Sequence, residues 1–297
     1  MILVVGATGR LGGTIARRLL ADGRSVRVLV REGSDYQALI DAGAEPVIAD
    51  LKAAPSLTAA CRDIQAIVTT ANAAGRGGTD TFETVDDQGN RNLVEAAVAA
   101  GVDRFIFVSA LGADPTNPFP LLRAKGLTEA RLRASGMQFT ILQPDVYMDL
   151  SIPMVLGTAL ATDTPVPLVL DGRRTHSFVA LADVAAFATA VLDRNDAHGQ
   201  TIVVGGPEAL SWRDILGVAE QVLDRSIPSE TVEPGQSVLG LPPFVIGLLT
   251  FLEMYDSSAD AREAAMTYGV ELTSIRRWMT VFLGTLSLTP VRWFATS

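Results

Sequence analysis

The chain of 297 residues is poor in the residues that build disulfides and metal sites. It has one cysteine, Cys61, so it can form no internal disulfide and no thiolate cluster. Its two histidines, His176 and His198, leave little material for a histidine-based metal site. We therefore expect no metal cofactor, a buried and unreactive Cys61, and a structural role for His176.

Positive charge is also scarce. The chain has 24 Lys+Arg against 33 Asp+Glu, a net charge of −9 at pH 7, and its only lysines are Lys52 and Lys125. A nucleic-acid-binding domain usually carries clustered basic residues. The composition therefore argues against a nucleic-acid partner, whereas 48% hydrophobic and 19% charged residues are ordinary for a globular protein.

The sequence contains no long apolar run. The most apolar stretch, residues 244–252, has about half of the roughly 20 residues that a membrane-spanning helix needs. We expect it to form a buried helix or a pocket wall, not a membrane span. Met1 leads directly into the apolar residues 2–5 without a basic region, a pattern that predicts no secretory signal and a cytoplasmic protein.

The first 145 residues alternate short apolar runs with longer helical patterns. The predicted strands are residues 2–5, 26–30, 46–49, 66–69, 105–108 and 140–142. Continuous apolar strands separated by helices are typical of a parallel sheet covered on both faces. A predicted helix over residues 81–100, with Val85, Leu93 and Val98 on its apolar face, stops at Gly101. The alternation predicts an α/β fold with a doubly wound, mostly parallel Rossmann sheet.

The regular alternation weakens after Pro144. We therefore expect a Rossmann domain over residues 1–150 and a smaller C-terminal α/β substrate lobe over residues 151–297. A strand or helix around residues 175–205 is expected to return to the first domain. Within the lobe we predict strands at 166–170 and 202–204, and a helix that starts with a capping box of Ser211 and Asp214.

A glycine turn follows the first predicted strand at once. Gly6, Gly9 and Gly12 have G-x-x-G-x-x-G spacing, and Thr8, Arg10 and Leu11 fill the positions nearest the following helix. Bare glycines let a diphosphate approach the backbone, and the N-terminus of the helix directs N–H groups and its positive dipole end at that anion. In this position the turn predicts dinucleotide binding.

The end of the second strand bears on the choice of cofactor. NAD sites usually place an acidic residue about 20 residues beyond the glycines, to bind the ribose 2′-hydroxyl. Arg31 stands at this point, and its guanidinium suits the 2′-phosphate of NADPH. NADH is the alternative cofactor, because Glu32 follows Arg31 and could bind the ribose. Asp50 and Leu51, after the third strand, are predicted to meet the adenine, although Asp50 could instead cap the following turn.

Several motifs in order resemble the NmrA-like family of atypical short-chain dehydrogenases/reductases. They are GATGRLG (6–12), VLVR (28–31), GNRNLVEAA (89–97), GVDRFIFVS (101–109), KGLTE (125–129), SGMQFTILQP (135–144) and FVALADVA (178–185). The resemblance covers about residues 1–205. It implies a Rossmann domain with a small substrate lobe that binds NAD(P)H. The sequence itself shows no flavin- or metal-specific motif. Family members include quinone reductases, dye reductases, isoflavone reductases and non-catalytic redox sensors.

The resemblance also implies roles for individual residues. Ser109 follows the fifth strand and Lys125 lies on the next helix, at positions that contact cofactor and substrate in short-chain dehydrogenases. Their tyrosine, one turn before the lysine, is absent here because position 121 is Leu121. A lysine ammonium could still deliver a proton through water. The alternative is that Lys125 is an ordinary surface lysine of its helix.

Two loops complete the expected site. The loop over residues 70–75, including Thr70, Ala71 and Asn72, should pass beneath the cofactor. Pro144 and Val146, after the sixth strand, should lie beside the nicotinamide. Tyr147 in the same loop is a candidate proton donor or stacking surface, with core packing as an equal alternative.

Three functions follow as hypotheses. The first is an NAD(P)H-dependent reductase that passes hydride to a conjugated apolar acceptor, such as a quinone or a polycyclic aromatic ketone. The second is a non-catalytic NAD(P)-binding redox sensor or scaffold, which the missing tyrosine favours. The third is tailoring of an aromatic polyketide, including oxygenation. Oligomerisation is possible and stays open.

Overall fold

A computed structural model of the chain describes residues 1–74 and 76–286. Gly75, the last residue of the predicted cofactor loop, and residues 287–297, the end of the predicted substrate lobe, lie outside the described residues. The chain forms two compact units. The first comprises Met1–Pro144, Ala182–Val203 and Ala264–Val270, and the second comprises Asp145–Leu181, Val204–Glu263 and the described residues from Glu271 to Leu286.

Nine strands and twelve α-helices are described. The strands are β1 (Ile2–Val5), β2 (Val26–Val30), β3 (Glu45–Ile48), β4 (Ala66–Thr69), β5 (Arg104–Val108), β6 (Gln138–Pro144), β7 (Val166–Val169), β8 (Gln200–Val204) and β9 (Ser229–Val232). The helices are α1 (Arg10–Ala21), α2 (Gln37–Asp41), α3 (Ala54–Ala60), α4 (Asn90–Ala100), α5 (Pro120–Ala134), α6 (Met148–Ile152), α7 (Thr158–Thr162), α8 (Leu181–Ala190), α9 (Trp212–Leu223), α10 (Pro243–Leu252), α11 (Arg262–Tyr268) and α12 (Ile275–Leu286).

The first unit is built on a seven-stranded sheet in the order β3-β2-β1-β4-β5-β6-β8. The pairings from β3 through β6 are parallel, so this is the mostly parallel, Rossmann-type α/β fold that the sequence predicts. Val5 pairs with Leu29 on one side and with Thr69 on the other. The loops that follow β1, β2 and β4 therefore leave the same edge of the sheet, at the point where the strand order reverses and α/β proteins bind ligands.

The predicted helix over residues 81–100 is two segments. Phe82–Gly89 is π-helical, with a capping box formed by Thr81 and Thr84, and α4 continues from Asn90 to the left-handed Gly101 at φ +69°. π-Helical turns are rare and often occur at functional sites. Val98, which its spacing places on the same face as Val85 and Leu93, is 47% exposed, whereas Val85 and Leu93 are buried.

The second unit has its own apolar core around Phe178, Trp212, Val245 and Met279. Here β7 pairs with β9 in a separate two-stranded parallel sheet. The predicted capping box of α9 is confirmed, since Ser211 and Asp214 bond each other's backbone N–H groups. In the described part of the chain, no helix combines the length and the apolar character required to cross a membrane.

Candidate cofactor-binding site

The glycine turn has the close backbone contacts that its sequence predicts. Gly6 has φ +84°, and a Cβ atom there would lie 2.7 Å from Oγ1 of Thr70. A Cβ atom on Gly12 would collide with the carbonyl oxygen of Gly6. The turn closes through a 3.0 Å hydrogen bond from the Gly9 N–H to the Gly6 carbonyl oxygen. A side chain at Gly12 is thus excluded by the packing of α1 against the glycine turn, and one at Gly6 by its positive φ and by Thr70 in the loop after β4.

Helix α1 begins at Arg10, directly after the turn. Its N-cap residue is Gly9, which has no side chain to accept a hydrogen bond from the N–H groups of the first helical turn. Those groups and the helix dipole favour an anion at this end of the helix. The bare turn and the uncapped helix together fit the diphosphate of a dinucleotide.

A cavity opens beside this turn. Six residues predicted to bind the cofactor line it, namely Gly6, Thr8, Arg31, Asp50, Leu51 and Ala71. Val5, Leu29, Arg76, Asp80 and Val85 complete the lining. The other predicted cofactor-binding residues of this unit do not line the cavity. They are Gly9, Arg10, Leu11, Gly12, Thr70, Asn72, Ser109, Lys125 and Pro144.

Three cationic side chains converge on one carboxylate at this cavity. Asp80 Oδ2 lies 2.6 Å from Nη1 of Arg31 and 3.7 Å from Nη1 of Arg76, and Asp80 Oδ1 lies 2.6 Å from Nζ of Lys52. Burial alone would raise the pKa of Asp80, but the hydrogen bonds from Lys52 and Arg31 outweigh it and the pKa is lowered. The sequence indicated Arg31, with Arg10 as a possible second positive charge, but not Lys52, Arg76 or Asp80, because no spacing connects these three residues to Arg31.

The loops around this cavity are held by local hydrogen bonds. Oδ1 of Asp50 accepts a 2.8 Å bond from the backbone N–H of Lys52, the turn-capping geometry that the sequence left open. Thr70 donates its backbone N–H to the carbonyl oxygen of Val5 at 3.0 Å. Asn72 accepts a bond from the N–H of Ala74. The loop after β4 is therefore fastened to the end of β1, next to the glycine turn.

Lys125 lies inside the first unit and not on the surface of its helix. The residue is 4% exposed, and Nζ donates a 2.9 Å hydrogen bond to the carbonyl oxygen of Val108 and lies 4.9 Å from the centre of the Phe107 ring. Oδ1 of the fully buried Asp86 is 3.9 Å from Nζ. Desolvation lowers the pKa of Lys125, partly opposed by Asp86 and Glu129, and desolvation raises the pKa of Asp86.

Ser109 is hydrogen-bonded to a carboxylate for which the sequence suggested no role. Its hydroxyl donates a 2.5 Å hydrogen bond to Oε1 of Glu129, which also accepts a 2.8 Å bond from Nε2 of Gln143. Oε2 of Glu129 accepts a 2.9 Å bond from Nη2 of Arg133. Glu129 lies one helical turn beyond Lys125 and is the last residue of the motif KGLTE, and these two features were its signals in the sequence.

The residues after β6 fall in two units. Pro144 ends β6 in the first unit, and its carbonyl oxygen accepts a bond from the N–H of Leu111. Val146 and Tyr147 belong to the second unit, where Val146 packs on the apolar core and the backbone of Tyr147 pairs with Val179. Burial, with the Asp149 carboxylate nearby, raises the pKa of Tyr147. An activated catalytic phenol requires a shift in the opposite direction.

The remaining candidates have structural contacts. His176 is fully buried, with Nδ1 2.7 Å from Oγ of Ser257 and Nε2 2.9 Å from the carbonyl oxygen of Leu252. Cys61 is buried, as expected, and burial raises the pKa of its thiol to about 11. Over residues 1–74 and 76–286, no cluster of three or more His, Cys, Asp or Glu side chains could hold a metal ion.

The fold and the glycine turn together define a dinucleotide-binding Rossmann protein. A family model described as NAD(P)H-binding matches residues 6–195. The chain belongs to this NAD(P)H-binding family, as the resemblance to atypical short-chain dehydrogenases/reductases indicated.

Individual relatives have different activities. The photosystem II assembly factor Ycf39 of Guillardia theta is 28% identical, over 95% of this chain and 94% of its own. The NAD(P)H azoreductase of Xenophilus azovorans is 26% identical over 82% of each chain. A solved NADPH-dependent quinone oxidoreductase from Escherichia coli, in complex with NADPH, has a TM-score of 0.78 at 20% identity, over 95% of this chain and all of the other. At that identity the structural likeness shows the fold alone.

Proposed function

We propose that this protein is an NAD(P)H-dependent oxidoreductase that reduces a conjugated apolar acceptor, such as a quinone or a polycyclic aromatic ketone. The observation that carries the proposal is the bare glycine turn followed by an uncapped helix, next to a cavity lined by Gly6, Thr8 and Arg31. Likeness to an azoreductase supports a reductase, because azo compounds and quinones both accept two electrons into a conjugated system.

The absence of the usual proton donor supports this acceptor class. Leu121 occupies the position of the usual tyrosine donor, and the hydroxyl of Ser109 is held by Glu129. A strong acid is unnecessary when hydride reaches a quinone, because the oxyanion that forms is delocalised over the ring. One hydride and one proton convert the quinone to the hydroquinone.

Within this proposal the cofactor supplies the hydride when it is bound, and the residues of the chain do the rest. The glycine turn holds the diphosphate, and the Lys125 ammonium stabilises the developing negative charge and supplies the proton through water. We further propose that the substrate lobe predicted over residues 151–297 binds the acceptor. Its candidate contacts are the apolar segment 239–252 and Met154, together with Met148 just before the lobe.

We propose NADPH as the preferred cofactor and NADH as a weaker one. Arg31, Lys52 and Arg76 bring three positive charges to a single carboxylate, Asp80, which leaves an excess of two. That excess matches a 2′-phosphate, which carries close to two negative charges at neutral pH. The hydroxyl of NADH would leave the cations without this partner.

A second function is supported by a specific observation. One relative that aligns over 95% of this chain is an assembly factor, and the Ser109 hydroxyl is hydrogen-bonded to Glu129. A non-catalytic NAD(P)-binding scaffold needs the glycine turn but neither Lys125 nor an acceptor site. It is therefore the alternative that an experiment must separate from the reductase.

The test is oxidation of NADPH by the purified protein with a panel of quinones, azo dyes and polycyclic ketones. The reductase predicts turnover with at least one acceptor, and a loss of about tenfold or more in kcat for Lys125→Met with NADPH affinity largely retained. Saturable NADPH binding without turnover on any acceptor would instead support the scaffold.

A further inference from the structure

We propose that Asp86 is a positioning residue for Lys125: its buried carboxylate holds the lysine charged and in place, and links that charge to the loop after β4. The link to catalysis rests on the proposed reductase function. The pairing itself is a property of the free protein.

The geometry of the carboxylate is unusual. Asp86 is fully buried within the π-helical segment, and Oδ1 has no hydrogen-bond partner among the described residues. A buried carboxylate oxygen without a donor is costly unless a nearby positive charge offsets it. Lys125 provides this charge, with Nζ 3.9 Å from Oδ1.

The second carboxylate near Lys125 is already occupied. Glu129 accepts hydrogen bonds from Ser109 and Gln143 on one oxygen and from Arg133 on the other, so a guanidinium already compensates its charge. Among the ion pairs of the described residues, the cation within 4.0 Å of the Asp86 carboxylate is Lys125, with Nζ 3.9 Å from Oδ1. Asp86 is therefore the principal counter-ion of Lys125.

Neither group would be stable as an ion alone. Desolvation lowers the pKa of Lys125, and the negative charge of Asp86 is the largest influence opposing that shift. In the same way, Lys125 is the largest influence that opposes the raised pKa of Asp86. Removing one member leaves a buried charge with only weaker compensation, from Glu129 for Lys125 or from Arg76 for Asp86, and that charge then tends to neutralise.

Asp86 also contacts the cofactor side of the sheet. Its Oδ2 accepts a 2.9 Å hydrogen bond from the N–H of Ala73, in the loop after β4. Its carbonyl oxygen accepts a 3.2 Å bond from Oγ1 of Thr128, which lies on α5 with Lys125. One residue therefore ties that loop, the π-helical segment and the lysine helix together.

The two lysines of the chain make a direct test possible. In protein labelled with ¹³C,¹⁵N-lysine, only Lys52 and Lys125 contribute side-chain signals, and Lys52→Arg assigns them. In cofactor-free Asp86→Asn, which preserves an acceptor for Ala73, the titration midpoint of Lys125 should fall by about one pH unit or more. Lys52 is the internal control and should not move. An unchanged Lys125 midpoint would overturn the proposal.

Folding and catalysis give two further decisive outcomes. If Asp86→Asn does not fold, the double variant Asp86→Asn/Lys125→Met should recover folding, and persistent failure would contradict the pairing. In the active enzyme, Asp86→Asn should move the alkaline fall of kcat to lower pH while KM for NADPH stays constant, which a merely structural role would not produce. If no acceptor is reduced, the reductase proposal fails, and the lysine titration still decides the role of Asp86.

Discussion

The guanidinium of Arg31 and the carboxylate of Asp80 form a short ion pair, with Nη1 2.6 Å from Oδ2. The two residues follow β2 and β4, and β1 lies between these strands in the sheet. Asp80 thus holds the cation that the sequence assigns to the 2′-phosphate of NADPH. A bound phosphate and Asp80 would share or compete for the same guanidinium, which leads to the first two predictions.

Arg31→Ala should weaken NADPH binding about 10- to 100-fold and change NADH binding much less, because a charge-assisted contact to the 2′-phosphate is lost. Fluorescence titration of both cofactors measures this difference. Arg24→Ala is the matched control, since Arg24 forms a 2.6 Å ion pair with Asp193 next to Ile2, at the start of β1. Equal weakening of NADPH and NADH by Arg31→Ala would remove the assignment.

Asp80→Asn should strengthen NADPH binding by about three- to tenfold, because a negative charge close to the 2′-phosphate disappears while the side-chain volume stays the same. NADH binding should hardly change. Calorimetric titration of both cofactors gives the two affinities, with Asp193→Asn as the control. Weaker NADPH binding would mean instead that Asp80 organises the cations for the phosphate.

The same carboxylate predicts a dependence of stability on pH. The folded-state pKa of Asp80 is lowered, so its contribution is complete above its unfolded value of about 4 and is lost as the pH falls further. The free energy of unfolding of Asp80→Asn should therefore be lower than that of the wild type at pH 7, by at most about 1 kcal/mol. The difference should shrink below pH 4 in urea unfolding series, and a constant difference would contradict the ion-pair account.

Gly12→Ala should destabilise the protein by about 1–3 kcal/mol and weaken both cofactors at least tenfold, because the new methyl group displaces the Gly6 carbonyl. Gly217→Ala in α9 is the matched control, since its Cβ atom meets nothing within 4 Å. This control should raise the free energy of unfolding by about 0.5–1 kcal/mol. Thermal unfolding together with cofactor titration checks both variants, and normal binding by Gly12→Ala would contradict the close packing of the turn.

Glu129→Gln should cost about 1–3 kcal/mol in urea unfolding, because Ser109, Gln143 and Arg133 lose a charged acceptor inside the first unit. Glu271→Gln serves as the control, since its side chain is 82% exposed and pairs only with Arg277 among the described contacts. That change should stay within about 0.5 kcal/mol. A similar loss in both variants would mean that the Ser109–Glu129 bond adds little.

The sequence predicted β1, β4 and β5 of the first unit well, because strands buried on both faces produce continuous apolar runs. The glycine turn was predicted equally well, because the spacing of its glycines reflects close backbone contacts between residues that are near in sequence. Strand β9 was missed, because Ser229–Val232 is polar and mostly exposed and pairs with β7 about 60 residues earlier. Its alternation is too short to stand out from a loop.

The environment of the candidate site depends on contacts between distant parts of the chain. Arg31 and Asp80 are separated by 49 positions, and Ser109 and Glu129 by 20. No local pattern encodes such pairs. The sequence therefore indicated Arg31 and Ser109 but not their partners, Asp80 and Glu129. The alternative of a surface lysine at position 125 failed for the same reason, since its burial requires Asp86, Phe107 and Val108 from other elements.

The most direct test of the account is a crystal structure of the protein grown with NADPH. The account predicts the diphosphate within hydrogen-bonding distance of backbone N–H groups between Thr8 and Leu11, and the 2′-phosphate beside Arg31 and Lys52. A structure in which the dinucleotide lies elsewhere, or in which the protein's own side chains fill the turn at saturating NADPH, would contradict it.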